Sequence, residues 1–299
     1  MYLKRGASHR TVIEAVDPIS IYSSPKQFAR QIMARFYDIV SYRDLLWNLV
    51  LRDLKLRYKN SALGILWSLL NPLLMMIVFT AVFTVMRGTS IDDFPAFVLV
   101  GLLPWQFFND SISGSTTSIV GNSHLINKVY FPREILVISG VLSNLVNFLI
   151  ALTLLVPILL WFNIGFTEWA LLLPFMIIIQ IIFTLGVSFI VATTNVYYRD
   201  VGMIVAVALL AGFFLTPIFY PLEELPRSYM LFGIDWDIWT IMYYLNPMAS
   251  IIENYRRILY YAQPHDILFI LRTLLTAVFF LIAGLAIFYR YNDKFGEIV

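Results

Sequence analysis

The chain has no cysteine among its 299 residues. That excludes structural disulfides, thiolate metal sites and thiol nucleophiles. Histidine is nearly as scarce. His9, His124 and His265 are the three present. None has a second metal ligand at helical spacing, so they read as polar loop residues. Charge is thin too. Asp, Glu, Lys and Arg make up 13% of the chain, about half the share in a soluble globular protein. A net charge of +2 gives bulk nucleic-acid binding no support. No Gly-x-x-x-x-Gly-Lys-Ser/Thr sequence occurs, so the chain does not hold ATP in a phosphate loop of its own. The start, MYLKRGASHR, has no apolar core behind its charges. It is not read as a cleaved signal peptide, and spans within the chain must direct it to the membrane. Those spans lack the chain of acids that a proton relay needs. Ion-driven transport and intramembrane hydrolysis therefore have little to work with.

What the chain does have is apolar length. Hydrophobic residues are 60% of the total, which implies an all-α, polytopic membrane protein with little polar mass for a separate soluble domain. Residues 1–23 are polar and mixed. Ser24 and Pro25 look like an N-cap and a first-turn proline. Phe28, Ile32, Phe36 and Ile39, then Tyr42, Leu45, Leu46 and Leu49, recur at helical spacing among Lys26, Arg30 and Arg35. Residues 24–60 thus read as a basic amphipathic helix region at the membrane interface or packed on a partner. Arg52, Asp53, Lys55, Arg57 and Lys59 crowd its end. After Lys59 the next charge is Arg87, so a basic segment runs directly into an apolar one.

Six spans are expected over 62–86, 94–120, 135–162, 169–197, 201–220 and 267–289, within a transmembrane domain of residues 61–290 and ahead of a 291–299 tail. Asn71-Pro72 interrupts the first. The second loses its apolar run at Asn109-Asp110 but is read as continuing, with a small polar face buried against neighbours. Asp110 is then the one acid near mid-membrane, a functional candidate or an acid held by water or by neighbouring hydroxyls. Residues 221–266 are mixed and dense in Trp and Tyr. There, Asn246-Pro247 reads as a second cap-plus-proline start, opening a helix too short and too charged to span. Of the 21 Lys and Arg, sixteen fall on the side of the termini, the 121–134 loop and the 198–200 turn, and five on the other. Positive charge collects on the cytoplasmic side, which places both termini there.

Six stretches together resemble the permease subunits of type-2 ABC exporters for polysaccharides and polyol phosphates. They are RDLKLRYKNSALGILWSLLNPLL at the first span, VGLLPWQFF at 100–108, NKVYFPREILV at 127–137, NVYYRDV at 195–201, FFLTPIFYPL at 213–222 and YLNPMASIIENYRRILY at 244–260. They recur in order over about residues 45–290, and residues 1–23 lie outside the likeness. The resemblance implies a half-transporter in the bacterial cytoplasmic (inner) membrane. It would be a homodimer joined to two ABC ATPase subunits, which bind the ATP and Mg; this chain itself would hold no cofactor. The substrate would be a lipid-linked glycan such as O-antigen, capsule or teichoic acid.

By the same resemblance, residues 38–60 and 122–134 contact the ATPase, through Arg52, Asp53, Lys128, Tyr130, Phe131, Arg133 and Glu134. Charge reversal at Arg133 is then expected to spare folding and weaken ATPase association. The first and fifth spans line the path, with Phe79, Phe83, Asp110, Phe213, Phe214, Phe219 and Tyr220 facing or bordering it. The short helices before the last span form an outer gate that includes Tyr244, Asn246, Pro247, Glu253, Tyr255 and Arg256. The composition suits this reading. With 24 Phe, 17 Tyr and 7 Trp, the chain can offer aromatic faces that pack on sugar rings, although a membrane-interface belt and core packing use the same residues. Two other readings remain: a type-2 exporter of drugs or lipids, and a membrane-embedded enzyme acting on glycans or lipids. The enzyme reading needs a converging acid or histidine cluster, which the sequence does not offer.

Overall fold

In the computed structural model, residues 39–88, 91–231, 233–263 and 266–298 are described. The Ser24-Pro25 start and the Phe28, Ile32 and Phe36 stripe lie outside them. The described chain is almost entirely helical. Helix α1, Arg43–Tyr58, buries Leu49 and Val50. It ends where Asn60 and Gly64 take left-handed backbone, at φ 61° and 52°, conformations that asparagine and glycine adopt most readily. A 3-10 turn, Gly64–Leu66, leads into α2, Trp67–Val82, extended by a π turn over Phe83–Arg87. The continuous basic-to-apolar run of the sequence is therefore two helices and a corner. Pro72 sits inside α2 and is its one buried residue.

Helix α3, Phe94–Thr117, runs unbroken through Asn109-Asp110, with Ser111, Ser115 and Thr116 buried. Small residues in this half allow close approach of neighbouring helices. The remaining long helices are α4, Glu134–Trp161; α5, Leu173–Tyr197; α6, Val201–Leu215; and α9, Ile267–Tyr291. Helix α3 is the hub, packed against α2, α4, α5 and α6. Helices α5 and α9 pack at a glycine crossing, where a Cβ on Gly284 would overlap the Gly186 backbone.

Among the described residues, four segments are long and apolar enough to cross a membrane: Gly64–Val85, Glu134–Trp161, Glu168–Tyr197 and Ile267–Lys294. This makes the chain a mostly helical, membrane-spanning protein. The fifth expected span, 201–220, is shorter as a helix. It stops at Leu215, and Thr216 is extended, as the residue before a proline favours. Fifteen helical residues cover only about 22 Å.

The segment between α6 and α9 contains a hairpin that sequence patterning did not reveal. Strand β1, Tyr229–Leu231, pairs antiparallel with β2, Ile234–Trp236, in the register Tyr229↔Trp236. Gly233 turns it with φ 77°. Helix α7, Ile238–Leu245, and helix α8, Pro247–Leu259, follow.

Candidate functional site

Three groups of expected site residues come together. The first is the corner where α1 meets the 121–134 loop. Leu49, Phe131, Ile135 and Leu136 form one buried cluster, with Tyr42, Leu45, Leu46, Leu125 and Ile126 packed on it. Arg52 holds Asp53 at 2.9 Å and donates to Asn122 Oδ1 at 3.1 Å. The helix and the loop are thus one unit. Only part of the expected ATPase-contacting set faces outward: Lys128 is exposed and Tyr130 is 80% exposed. Phe131 and Glu134 are buried. Arg133 Nη1 donates to the Asn292 carbonyl, and Tyr289 Oη donates to Glu134 Oε1 at 3.3 Å. These two charges hold the end of the chain against the start of α4. Arg133 is part-buried and already bonded within the chain, so its reversal is expected to cost stability as well.

The second group is aromatic. Phe79 lies 4.4 Å from Phe219 and 5.6 Å from Phe213, ring to ring, and Phe83 stacks on Phe219 at 5.0 Å. Trp105 of α3 reaches Phe213 at 6.0 Å. The first span, the hub helix and the end of α6 therefore meet on one patch of rings. Phe214 points outward, 60% exposed, and touches the patch through Phe213. Tyr220 donates to the Phe214 and Leu215 carbonyls at 3.3 and 3.2 Å, satisfying acceptors that the end of α6 leaves open. Phe219 is 3% exposed, so it is part of the packing beneath the patch.

The third group is α8. Asn246 Oδ1 accepts from the Ala249 N–H at 3.1 Å with Pro247 in the first turn, which is the cap that the sequence indicates. Tyr244 is exposed. The rest of the expected gate residues are interior. Glu253, Tyr255 and Arg256 are all buried. Arg256 donates to the Ile218 and Tyr220 carbonyls at 2.6 and 3.2 Å and lies 3.8 Å over the Phe97 ring. Tyr255 Oη donates to Gln180 Oε1 at 2.8 Å, and Gln180 Nε2 donates to the Pro104 carbonyl at 2.7 Å. Burial pushes the Glu253 carboxyl up to about 7 against the pull of Arg256. Carbonyls and a ring hold the Arg256 guanidinium, and Glu253 pairs with Arg257 at 3.3 Å.

The ABC-2 type transporter family matches residues 44–260. The chain belongs to that family. It is 36% identical over 264 residues to the O-antigen export system permease protein RfbA of Myxococcus xanthus, a match covering 87% of this chain and 97% of the relative. The RfbA permease of Klebsiella pneumoniae is 33% identical, with 88% and 98% covered. The polysialic acid transport protein KpsM of Escherichia coli is 23% identical over 69% of this chain and 77% of its own length.

This ABC-2 transporter chain also uses residues that sequence reading passed over. Asp110, expected to be held by water or by neighbouring hydroxyls if not a functional acid, faces Arg57 Nη1 at 3.5 Å. The pair stands among polar groups and away from the ring patch. Arg57 Nη2 also donates to Asn144 Oδ1 at 2.6 Å, and Tyr58 Oη donates to Asn147 Oδ1 at 2.6 Å. The end of α1 is thus bonded to α3 and α4. Gly101 is a second omission. A Cβ there would come 3.1 Å from Arg256 Nη2, so the glycine leaves the space that the guanidinium occupies. A lone glycine in the middle of an apolar helical run was the available signal. Among the described residues no group of acids or histidines could hold a metal ion.

Proposed function

We propose that this chain is the transmembrane half of an ATP-driven exporter that moves a lipid-linked polysaccharide outward across the bacterial inner membrane. Two copies pair and join two ATPase subunits, which bind ATP and Mg. In this reading α2, α3, α4, α5, α6 and α9 are six spans, both termini are cytoplasmic, and α7 and α8 re-enter from the outside as the gate region. The observation that carries the proposal is the likeness to O-antigen export permeases over 97% and 98% of their length. The α1–loop corner supports it, because a helix locked to a loop at one end and to α3 and α4 at the other can carry motion from an attached ATPase into the spans. Of the expected contacts, Lys128 and Tyr130 are the most open to that partner. The Phe79, Phe83 and Phe213 patch supplies aromatic faces bordering a route between α2 and α6.

Deleting the gene is expected to strip a polysaccharide from the cell surface and leave its lipid-linked form inside, and a plasmid copy restores export. A purified chain that processed lipid-linked glycan with no ATPase present would instead make it an enzyme. The proposal would then be lost.

A further inference from the structure

The Arg57–Asp110 pair lines a cavity of about 270 Å³ between the end of α1, the start of α2, and helices α3 and α4. Its lining is unusual for a protein of this composition. Besides the pair it carries Tyr58, Ser68, Asn71, Gln106, Asn144 and Asn147. These polar groups stand beside Trp67, Phe107 and Phe148, which offer aromatic surface. Several hydrogen-bonding groups are not fully used. Asn147 Nδ2 is buried and has no partner, and Gln106 Nε2 reaches only the Met75 sulfur, at 3.6 Å. A buried amide donor left open is costly unless a ligand or water meets it.

We propose that this cavity docks a single uncharged sugar ring of the exported glycan. The assignment rests on the exporter reading above and names the part of the substrate that this site takes. Size comes first. Pockets for drug-sized ligands run from about 300 to 1,000 Å³, so this one suits a ring-sized group and not a length of polymer. Charge comes next. The lining holds one cation and one anion, already facing each other at 3.5 Å. A phosphate on Arg57 would have to sit beside the Asp110 carboxylate, whereas an uncharged ligand avoids that repulsion. Polarity excludes an acyl chain, which would leave the amides and hydroxyls unsatisfied. A chain-like apolar ligand is better matched by the separate cavity of about 460 Å³ lined by Trp105, Phe108, Phe183 and Leu209. What remains is a group whose edge is covered in hydroxyls, each both donor and acceptor, and whose faces are C–H. Amides, a carboxylate and a guanidinium meet such an edge, and Trp67 meets such a face.

The test uses the permease–ATPase complex in lipid nanodiscs. The chain has no native thiol, so Asn71→Cys places one reporter per permease copy on the cavity wall, read on the permease after it is separated from the ATPase. The reporter's maleimide labelling rate is followed with decyl glucoside, galactoside, mannoside or N-acetylglucosaminide, with decanol and decyl phosphate for comparison. At least one glycoside is expected to slow labelling saturably while decanol and decyl phosphate do not. Adding Gln106→Leu or Asn147→Leu should raise the half-protecting concentration about three- to tenfold, the loss expected for one neutral hydrogen bond. Gln106 is only part-buried and leucine keeps its bulk, so that variant remains readable if the other fails to assemble. Three results each overturn the assignment: no saturable protection by any glycoside, equal protection by decanol, or stronger protection by decyl phosphate. Glycan export by the unmodified complex is scored separately in cells. A complex that exports glycan but shows no protection loses only the sugar site. A protected complex that exports nothing loses the exporter reading.

Discussion

Lys128, Tyr130, Phe131, Arg133 and Glu134 lie within seven residues of one another, yet Lys128 and Tyr130 are outside, Phe131 and Glu134 inside, and Arg133 part-buried between them. Tyr130 is 80% exposed, while Glu134 is fully buried. The division predicts opposite phenotypes. Tyr130→Ala removes a side chain that touches solvent, so stability should move by no more than about 0.5 kcal/mol. Its expected effect is weaker co-purification of the ATPase. Arg133→Glu places an anion against the Asn292 carbonyl and near Glu134. It should lower the thermal midpoint of the isolated permease by an amount corresponding to about 2–4 kcal/mol. Thermal unfolding of both variants without the ATPase checks the pair. Equal midpoints would show that Arg133 faces outward after all. Sequence could not separate these neighbours. A charge in a short loop looks solvated unless its partner is known, and the partners here, Asn292 and Tyr289, are more than 150 residues away.

At the level of elements, local chemistry was legible and long-range partnership was not. The start of α8 was readable because a capping asparagine and a first-turn proline act within four residues. Continuation of α3 past Asp110 was readable because its small residues forecast close packing. The burial of α8 was not readable, because Arg256 is answered by carbonyls after α6, although Glu253 pairs within the helix with Arg257 at 3.3 Å. The hairpin was missed because two three-residue strands leave almost no period to detect.

Asn246 combines the two kinds of information. Its Oδ1 caps α8 at Ala249, and its Nδ2 donates to Thr216 Oγ1 at 3.1 Å, tying the start of α8 to the end of α6. Asn246→Ala loses both bonds and should cost about 1–2 kcal/mol. Asn246→Asp keeps the cap and loses the amide donor, so its thermal midpoint should fall between alanine and wild type. If aspartate matched alanine, the cap would contribute nothing, and if it matched wild type, neither would the Thr216 bond.

At the scale of the whole molecule, the number of crossings depends on α3 and α6, the two helices for which hydropathy is a poor guide. Helix α3 is packed on several sides by protein. It need not be as apolar as a lipid-facing span, because neighbouring helices satisfy its serines and threonines. Helix α6 is apolar throughout but only fifteen residues long. It reaches across if the non-helical segment 216–220 adds depth where protein, and not lipid, surrounds it. Ile218 and Phe219 are buried and Arg256 holds the Ile218 and Tyr220 carbonyls, so the non-helical backbone there has partners. The six-crossing arrangement predicts that Lys128 and Tyr198 lie inside and Thr167 and Met230 outside. If only the four segments that hydropathy selects crossed, with the N-terminus inside, Thr167 would move inside and the other three would lie outside. Single cysteines at the four positions, in a chain with no native thiol, can be tested with a membrane-impermeant maleimide on intact spheroplasts. Labelling of Thr167→Cys and Met230→Cys, with Lys128→Cys and Tyr198→Cys reacting only after lysis, is the expected pattern. Met230→Cys and Tyr198→Cys reacting from the same side would mean that α6 does not cross. The ring patch at its end would then not border a route through the membrane.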